Sequence, residues 1–415
     1  MPVDLAKDLI VRWDNPDPGH VPLLRQAGIT AVLLSSAHPE FATACATADI
    51  AVVPASDLQF VNAPGLGQAS GTNVVLTNGL WPGIRRPPNV AGQGDETASA
   101  SREPWVDANG FWIAWMRAIH PNRPAVLGYL PDLGDRGVPF DTLELALVEA
   151  RVMGGNYILS VEPAYRAALL RNDPKAGSAW KQLGQTARWL RDSAALFGRP
   201  CPPTITALVD SGASSAEIVN LLYRRNGSPL VAATLRSSAR QGCLAIVAAG
   251  LRQPGPDVIQ QLISEAQAGA VVITDQPWLR VAGPKPLRGD PDREFFEVGK
   301  GQVLAYRRRI SDPSEFALDV IDVVTHKRRP VRLWNAPAIV AVVTESAERG
   351  ERLVQLVNYG SPVTSEVQLR VQGQYARATL RRPDGSPLSL KAASRGSTTE
   401  VFVPELRRTG VLIFS

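Results

Sequence analysis

The stretch from residue 124 to residue 163 constrains the fold of this chain more than any other. Two apolar runs of strand length, at residues 125–130 and 156–161, flank a segment with helical periodicity. This order predicts a βαβ unit, and an acidic residue, Asp132 or Glu162, follows each strand. Parallel strands are buried on both faces, so such folds carry their chemistry at the strand ends. We therefore expect a functional site at these two carboxylates.

The first 200 residues continue this alternation of short apolar runs and helical segments. Six runs read clearly as strands, and residues 58–62 are a further candidate. Such alternation with right-handed crossovers gives either a (β/α)8 barrel or an open doubly wound sheet. We favour a (β/α)8-type barrel with an irregular strand count, because the candidate site residues are spread over several strand ends.

The rest of the chain changes its pattern twice. From residue 204 a strand, a turn and a helix restart the α/β alternation, which predicts a small flavodoxin-like domain. From residue 295 short alternating strands and turns such as Asp384-Gly-Ser-Pro predict an antiparallel β-sandwich. We thus expect a barrel over residues 1–200, a flavodoxin-like module over 201–290 and a sandwich over 291–415.

The composition argues against several classes of protein. Among 415 residues, 44 Lys+Arg face 39 Asp+Glu, and the basic residues lie in scattered pairs, so a nucleic-acid partner is not expected. No apolar run is long enough to cross a membrane. The cysteines and histidines have no metal-ligand spacing, and the Gly-rich residues 65–71 lack a P-loop lysine. We expect no metal or other cofactor, and either a cytoplasmic protein or the mature part of an exported one.

The order of barrel, flavodoxin-like module and sandwich resembles bacterial glycoside hydrolases of the family 42 β-galactosidase type. Gly154-Gly-Asn-Tyr-Ile-Leu-Ser-Val-Glu-Pro is similar to a late barrel strand of sugar hydrolases, and Leu356-Val-Asn-Tyr is similar to a strand of their sandwich. The resemblance implies a carbohydrate substrate and an amidotransferase-like middle module that makes homo-oligomers. It also implies an Asn-Glu pair after the fourth strand, with the Glu as acid/base, and a nucleophilic Glu after the seventh.

The sequence departs from that family at the acid/base. The strand that we take as the fourth ends Leu76-Thr-Asn-Gly, with no Glu. The relationship is therefore distant, and the acid comes from elsewhere or is absent. The middle module also lacks the Cys-His-Glu set of an amidotransferase, since no histidine lies between His120 and His326.

Glycoside cleavage needs one carboxylic acid and one carboxylate, and their separation decides between retention and inversion. Asp132 and Glu162 are the first candidate pair, and Asp14, after the first strand, is the third catalytic candidate. Each has a structural alternative. A strand-end acid also caps the next helix or pairs with an arginine such as Arg136 or Arg166, and Asp14 suits an Asx turn.

Sugars present apolar C–H faces, so their sites combine carboxylates with aromatic rings and a few fixed polar groups. Arginines of the long loop after residue 80 have the geometry to clamp the carboxylate of an acidic sugar. The candidate substrate-binding residues are Trp13, Asn78, Trp81, Arg85, Arg86, Trp105, His120 and Tyr129. Trp112 and Trp115 share a helical stripe with other apolar residues, and we expect them in the core.

Three functions agree with these features. The first is a glycoside hydrolase with a carboxylate pair at the mouth of the barrel. The second is a non-catalytic carbohydrate-binding or scaffold protein derived from such an enzyme, which the missing Asn-Glu pair favours. The third is a hydrolase of an acidic sugar that uses Asp14 and His120 beside Arg85 or Arg86.

Overall fold

The protein folds into three units, each built on its own sheets. The computed structural model describes residues 3–84, 105–128, 138–210, 212–234, 243–252, 254–275, 288–289, 292–324, 328–346, 350–360 and 363–415. The prediction of an α/β barrel, a flavodoxin-like α/β domain and a β-sandwich is confirmed. No helix in these described ranges has the length and apolar character needed to cross a membrane.

The first unit is the barrel. Its strands are β1 (Ile10–Arg12), β2 (Ala31–Leu34), β3 (Ala51–Pro54), β4 (Gln59–Val61), β5 (Val74–Leu76), β6 (Gly83–Ile84), β7 (Val106–Asp107), β8 (Val126–Gly128) and β9 (Asn156–Ser160). Its α-helices are α1 (Val21–Gln26), α2 (Pro39–Thr47), α3 (Gly110–Ile119), α4 (Thr142–Val152), α5 (Pro163–Leu170) and α6 (Pro174–Asp192). Short 3₁₀ helices cover Pro18–His20, Ala55–Asp57, Ala63–Gln68 and Ala194–Leu196.

Seven of these strands form a parallel sheet in the order β3-β2-β1-β9-β8-β5-β4. The last strand, β9, pairs with the first, β1, so the strands follow one another around a ring in chain order. The ring is a partial barrel, because β3 and β4 are consecutive in the chain but are not paired in the sheet. β4 is the strand that the sequence left open at residues 58–62. β6 and β7 pair with each other in the loop after β5.

Alternation along the strands separates two apolar layers. Ile10, Val75 and Ile158 belong to the cluster inside the ring, whereas residues one position away, such as Val11 and Leu159, pack under the helices. Glycine is required in the inner layer at position 128, since a Cβ there would lie 2.7 Å from Cγ1 of Val75. The same alternation decides which side chains enter the mouth of the barrel.

The second unit is a doubly wound α/β domain. Its strands are β10 (Ile205–Leu208), β11 (Leu230–Ala232), β12 (Ala245–Ala248), β13 (Val271–Thr274), β14 (Arg288–Gly289), β15 (Arg293–Val298) and β16 (Gly301–Tyr306). Its helices are α7 (Ala213–Arg224), α8 (Pro256–Ala268) and α9 (Pro313–Asp319), and a π-helical turn follows at Val320–Val324. The parallel order β11-β10-β12-β13-β16 is that of flavodoxin-like folds, with β15 and β14 added at one edge.

The third unit is the antiparallel sandwich. Its strands are β17 (Val331–Trp334), β18 (Ile339–Ser346), β19 (Glu351–Asn358), β20 (Thr364–Gln372), β21 (Ala378–Arg382), β22 (Gly385–Leu390), β23 (Ala393–Arg395), β24 (Thr398–Leu406) and β25 (Thr409–Phe414). One sheet has the order β17-β20-β24-β23 and the other β18-β19-β25-β21-β22. Side chains from both sheets, including Leu356 and Leu369, form the core between them.

The boundary that the sequence suggested at residue 291 is displaced in the structure. β16, which the sequence analysis assigned to the sandwich, pairs in parallel with β13 of the second unit, with Val303 opposite Val272. β15 and β16 form an antiparallel hairpin at the edge of that sheet, so they show the same alternation as a sandwich strand. We therefore propose that the second unit extends to about residue 324 and that the sandwich begins near β17.

Helix α4 joins the barrel to the sandwich. Arg407 of the sandwich donates to the buried carboxylate of Glu144 at 2.7 Å, and Arg408 donates to Asp141 at 2.6 Å. Tyr359, just after β19, donates its hydroxyl to buried Glu149 at 2.6 Å. Because partners surround it, α4 is buried on nearly every side and carries two buried acids.

Candidate functional site

Polar side chains follow the apolar inner layer at the carboxyl ends of β1 and β9. Arg12 and Ser160 are paired across these neighbouring strands, and they lie two residues after Ile10 and Ile158 of the inner cluster. Both therefore face the mouth of the barrel. Ser160 is buried, and Arg12 is half-buried. The inward-facing side chains thus change from apolar to polar within two residues along each strand.

Glu162 follows Ser160 by two residues and is also buried, with 7% of its surface exposed. It occupies the N-cap of α5, and Pro163 takes the first helical position, where its missing N–H costs nothing. The Glu162 side chain makes no capping bond to that helix. Its Oε2 instead accepts a hydrogen bond from the backbone N–H of Val138 at 3.1 Å. Glu162 therefore contacts the chain just before α4, at the end of the segment that connects β8 to α4. In the sequence, Asp132 belongs to the same segment.

Asp14 lies two residues after Arg12 on the neighbouring strand. Its Oδ1 accepts from Nε of Arg12 at 3.2 Å, and 45% of its side chain is exposed. Since Arg12 and Ser160 are paired, Asp14 and Glu162 occupy equivalent positions just beyond two adjacent strands. The order of strands in the sequence favours Asp132 as the partner of Glu162, whereas the strand register makes Asp14 an equally good candidate.

Trp13 does not line the mouth, contrary to our expectation from the sequence. Only 1% of it is exposed, and its ring packs against Trp180 of α6 at 6.2 Å between centroids. Its Nε1 donates to Nδ1 of His20 at 3.3 Å. The reason is alternation: Arg12 points into the barrel, so its neighbour Trp13 must point out towards the helices.

Asn78 and Trp81 lie in the loop after β5, and Trp81 packs against the outer, helix-facing apolar layer and not against the inner layer of the barrel. Oδ1 of Asn78 accepts from the backbone N–H of Ala63 at 2.6 Å, which fixes the segment after β4. The Trp81 ring stacks on Tyr157 of β9, with 6.2 Å between centroids and 14° between ring planes. Gly79 lies against the end of the Tyr157 side chain, and a Cβ at this position would lie 2.8 Å from the Tyr157 hydroxyl.

Trp105 lines a cleft of about 360 Å³ between the barrel and the second unit. One wall consists of the loop after β5 and the start of α3, and the other is formed mainly by α7. The described polar and aromatic lining residues include Trp105, Asp107, Trp112, Glu217, Asn220 and Arg224. Asn220 joins the two walls, because its Oδ1 accepts from the backbone N–H of Phe111 at 3.0 Å. Trp115 is in the core as expected, whereas half-buried Trp112 also reaches this cleft.

His120 lies at the opposite end of the barrel from Asp14. It follows the last residue of α3, a helix that leads from the loop after β5 back towards the start of β8. Its Nε2 lies 3.3 Å from the carbonyl oxygen of Leu66. The structure therefore does not bring His120 and Asp14 into one cleft, and the acidic-sugar mechanism that needs both is not supported.

Four candidate residues lie outside the described part of the chain. They are Arg85, Arg86, Tyr129 and Asp132. Their roles remain predictions from the sequence. Within the described ranges, no group of three or more His, Cys, Asp or Glu side chains is placed to hold a metal ion.

Glu149 is a buried carboxyl of α4 that no pattern in the sequence indicates. It accepts from the backbone N–H of Asn109 at 2.6 Å, from Nδ2 of Asn109 at 2.9 Å and from the Tyr359 hydroxyl at 2.6 Å. Asn109 in turn binds both backbone groups of Leu80 in the loop after β5. Burial raises the Glu149 pKa from 4.5 to about 7, although these hydrogen bonds oppose the shift. No charge pattern in α4 distinguishes it from a surface acid.

Comparison with solved structures identifies the type of fold. The chain is similar to α-L-fucosidase isoenzyme 2 from Paenibacillus thiaminolyticus, with a TM-score of 0.61 and 8% identity over 99% of each chain. It is also similar to a β-galactosidase from Bacillus circulans sp. alkalophilus, with a TM-score of 0.53 and 10% identity over 93% of this chain and 63% of that one. A family 42 β-galactosidase from G. stearothermophilus gives a TM-score of 0.51 and 10% identity over 90% and 65%.

No protein-family model matches the sequence, and no curated protein matches it either. Sequence identities this low show only that the folds are similar, and they do not identify catalytic residues. The resemblance stated from the sequence is confirmed at that level. The chain has a glycoside hydrolase-like fold and is a distant structural relative of these enzymes.

Proposed function

We propose that this protein is a glycoside hydrolase that cleaves its substrate at the mouth of the barrel, with Glu162 as the essential carboxylate. The position of Glu162 carries the proposal. It is a buried acid at the carboxyl end of the last strand of the partial ring, on the same side as the inner layer of the barrel. Catalytic groups in barrels of this kind come from the ends of several strands.

The register of β1 and β9 suggests a catalytic partner for Glu162. Asp14 and Glu162 extend two neighbouring strands from the paired residues Arg12 and Ser160. Adjacent strands lie about 4.8 Å apart, so side chains that follow them can bring their carboxyl groups to the roughly 5 Å found in retaining glycosidases. We therefore assign retention to a Glu162–Asp14 pair. Asp132, which follows β8 on the other side of β9, is the alternative partner.

The family resemblance supports Glu162 as the nucleophile. In that family the nucleophilic Glu follows the seventh barrel strand, and Glu162 follows the seventh strand of this ring. The fourth and fifth strands of the ring, β4 and β5, are followed by Asn62 and by Thr77-Asn78, with no Glu. The acid/base must therefore be Asp14 or Asp132.

The cleft between the barrel and α7 provides room for a sugar. Its volume of about 360 Å³ lies within the usual range for small-molecule sites. Trp105 and Trp112 offer aromatic faces to apolar sugar surfaces, and Asp107, Glu217 and Asn220 offer hydrogen-bonding groups. We assign this cleft to the part of the carbohydrate that extends beyond the cleaved bond.

Aryl glycosides test the proposal. Aryl α-L-fucosides and β-galactosides are the first substrates to use, since the similar structures are a fucosidase and β-galactosidases. We expect the wild-type protein to release phenol from at least one of them, and Glu162→Gln to reduce the rate by at least about 100-fold. Glu40→Gln changes an exposed acid of α2 and serves as the matched control. Equal rates for wild type and Glu162→Gln would remove Glu162 from the mechanism.

A non-catalytic carbohydrate-binding protein is the second candidate function. The observation in its favour is that both described acids already have partners, Val138 for Glu162 and Arg12 for Asp14. On this reading the acids hold the mouth together and perform no chemistry. Calorimetric binding of the same sugars without any release of phenol, and with equal affinity in Glu162→Gln, would select it.

A further inference from the structure

The outer face of the β17-β20-β24-β23 sheet carries an organised set of aromatic and cationic side chains. Along β20, Val367, Leu369 and Val371 face the sandwich core, so Gln368 and Arg370 face outwards. The other strands of the sheet contribute outward side chains in register with these two. This surface, defined by Arg332, Trp334, Gln368, Arg370, Glu400 and Phe402, is called the outer sheet face below.

One row across the outer sheet face is aromatic at both ends. Trp334 of β17 is paired with Gln368 of β20, which is paired with Phe402 of β24. The two rings are two strands apart, or about 10 Å at ordinary strand spacing. Phe402 is 60% exposed and is the most exposed of the large apolar side chains in the described residues. An amide flanked by two aromatic rings suits a ligand with both apolar faces and hydroxyl groups.

The next row is cationic. Arg332 is paired with Arg370, which is paired with Glu400. The guanidinium groups of Arg332 and Arg370 lie 4.5 and 5.0 Å from the centroid of Trp334. Glu400 accepts from Nε of Arg370 at 2.7 Å and pairs with Nε of Arg395 at 3.2 Å. Two guanidinium groups, those of Arg370 and Arg395, thus share the Glu400 carboxylate. With Arg332 beside them, this row has more cationic than anionic side chains next to the aromatic row.

From these two rows we propose that the outer sheet face binds an anionic carbohydrate. The rings of Trp334 and Phe402 contact the apolar faces of sugar residues, and the Gln368 amide bonds their hydroxyl groups. Arg332 binds carboxylate or sulfate groups, which a guanidinium fork matches in geometry, and Arg370, whose Nε and Nη2 donate to Glu400, adds positive charge beside it. This surface is separate from the barrel mouth, so it would hold a polymer to the protein without taking part in cleavage.

Affinity electrophoresis of the full chain tests the proposal. The gels contain alginate as a carboxylated polymer, dextran sulfate as a sulfated one, or dextran as a neutral one. We expect retardation by at least one anionic polymer and none by dextran. Trp334→Ala, Phe402→Ala and Arg332→Ala should each weaken binding about tenfold, which corresponds to about 1.4 kcal/mol.

Matched controls separate this site from general attraction between charges. Arg381→Ala and Leu388→Ala change an exposed arginine and an exposed leucine of the other sheet, and both should bind as the wild type does. Glu162→Gln should also bind normally, so the result does not depend on the proposed hydrolase activity. Absence of retardation, or equal loss in the controls, would overturn the proposal. So would a dimer that Phe402→Ala dissociates, since a second copy would then cover this face.

Discussion

The carboxylate of Glu162 accepts a hydrogen bond from the backbone N–H of Val138, 3.1 Å away. This contact links the end of β9 to the chain just before α4. Glu162 is buried, so this contact fixes its side chain, and the proposed function requires the same carboxylate for catalysis. The two roles respond differently to mutation, which makes them separable by experiment.

Glu162→Gln should preserve stability where Glu162→Ala does not. Glutamine keeps an oxygen that accepts from Val138, whereas alanine leaves that N–H without its partner. Loss of a buried hydrogen-bond partner costs roughly 1–3 kcal/mol. In urea unfolding, we expect the free energy of unfolding to fall by that amount in Glu162→Ala and by less than half of that amount in Glu162→Gln. Equal losses in the two variants would show that the contact with Val138 does not contribute to stability.

The identity of the acid should appear in the dependence on the leaving group. A general acid matters most when the departing alcohol is poor, because a good leaving group departs without a proton. If Asp14 is the acid, Asp14→Asn should slow the hydrolysis of phenyl glycosides by at least about 100-fold and that of dinitrophenyl glycosides far less. Asp132→Asn is the parallel variant. The variant that shows this contrast identifies the acid, and the same loss with both substrates in both variants would exclude the two residues from this role.

Glu149 should make stability fall as the pH rises from about 4.5 to about 7. Its folded pKa of about 7 lies above its unfolded value of 4.5, so the folded state binds more protons in that window. The shift corresponds to roughly 3 kcal/mol, lost progressively as pH increases and constant above about pH 7. In urea unfolding, we expect the free energy of unfolding of Glu149→Gln to increase relative to that of the wild type between pH 5 and pH 8. Glu366→Gln, an exposed control, should show no such gain.

The ion pair between Glu144 and Arg407 should stabilise the junction of barrel and sandwich. Glu144 is almost completely buried and is bound by Arg407 and by the hydroxyl of Thr186. Removing one partner of a buried pair typically costs about 3–5 kcal/mol. We expect Glu144→Ala to lose about 3 kcal/mol in urea unfolding, and Arg407→Ala a comparable amount. Values below about 1 kcal/mol in both would show that the junction depends on apolar packing instead.

Trp105 should contribute to sugar binding without contributing to the chemical step. It lines the cleft and lies on the loop before α3, and it does not follow β1 or β9, the two strands that carry Asp14 and Glu162. Removal of an aromatic platform costs about 0.5–1.5 kcal/mol beyond burial. We therefore expect Trp105→Ala to raise KM several-fold and to leave kcat nearly unchanged. A fall in kcat with an unchanged KM would place Trp105 at the reacting bond.

Local patterns in the sequence predicted most of the fold. The β8–α4–β9 unit follows from two apolar runs and one helical segment, and the flavodoxin-like order follows from renewed alternation. β15 and β16 were misassigned, because an edge hairpin of an α/β sheet has the same period as a sandwich strand. Which sheet a strand joins depends on pairing between residues distant in the chain, and the period does not encode it.

The candidate site was less predictable than the fold. The sequence shows that Glu162 comes directly after a buried strand. The outward direction of Trp13 depends on the alternation of side chains along β1, which its place at the strand end does not reveal. His120 follows α3, and the turn motif around it in the sequence does not show that this helix runs towards the start of β8. Glu149 was missed, since its burial results from packing of the sandwich on α4. These errors concern which way a side chain faces, and that is decided by tertiary contacts.

The most direct test of the central claim is the turnover of Glu162→Gly on a dinitrophenyl glycoside, measured with and without sodium azide. In a retaining enzyme, a small anion can occupy the space of the missing carboxylate and attack the anomeric carbon. We predict that the variant is inactive alone and forms a glycosyl azide when azide is present. Wild-type turnover without azide, or no glycosyl azide with it, would contradict the assignment of Glu162 as the catalytic carboxylate.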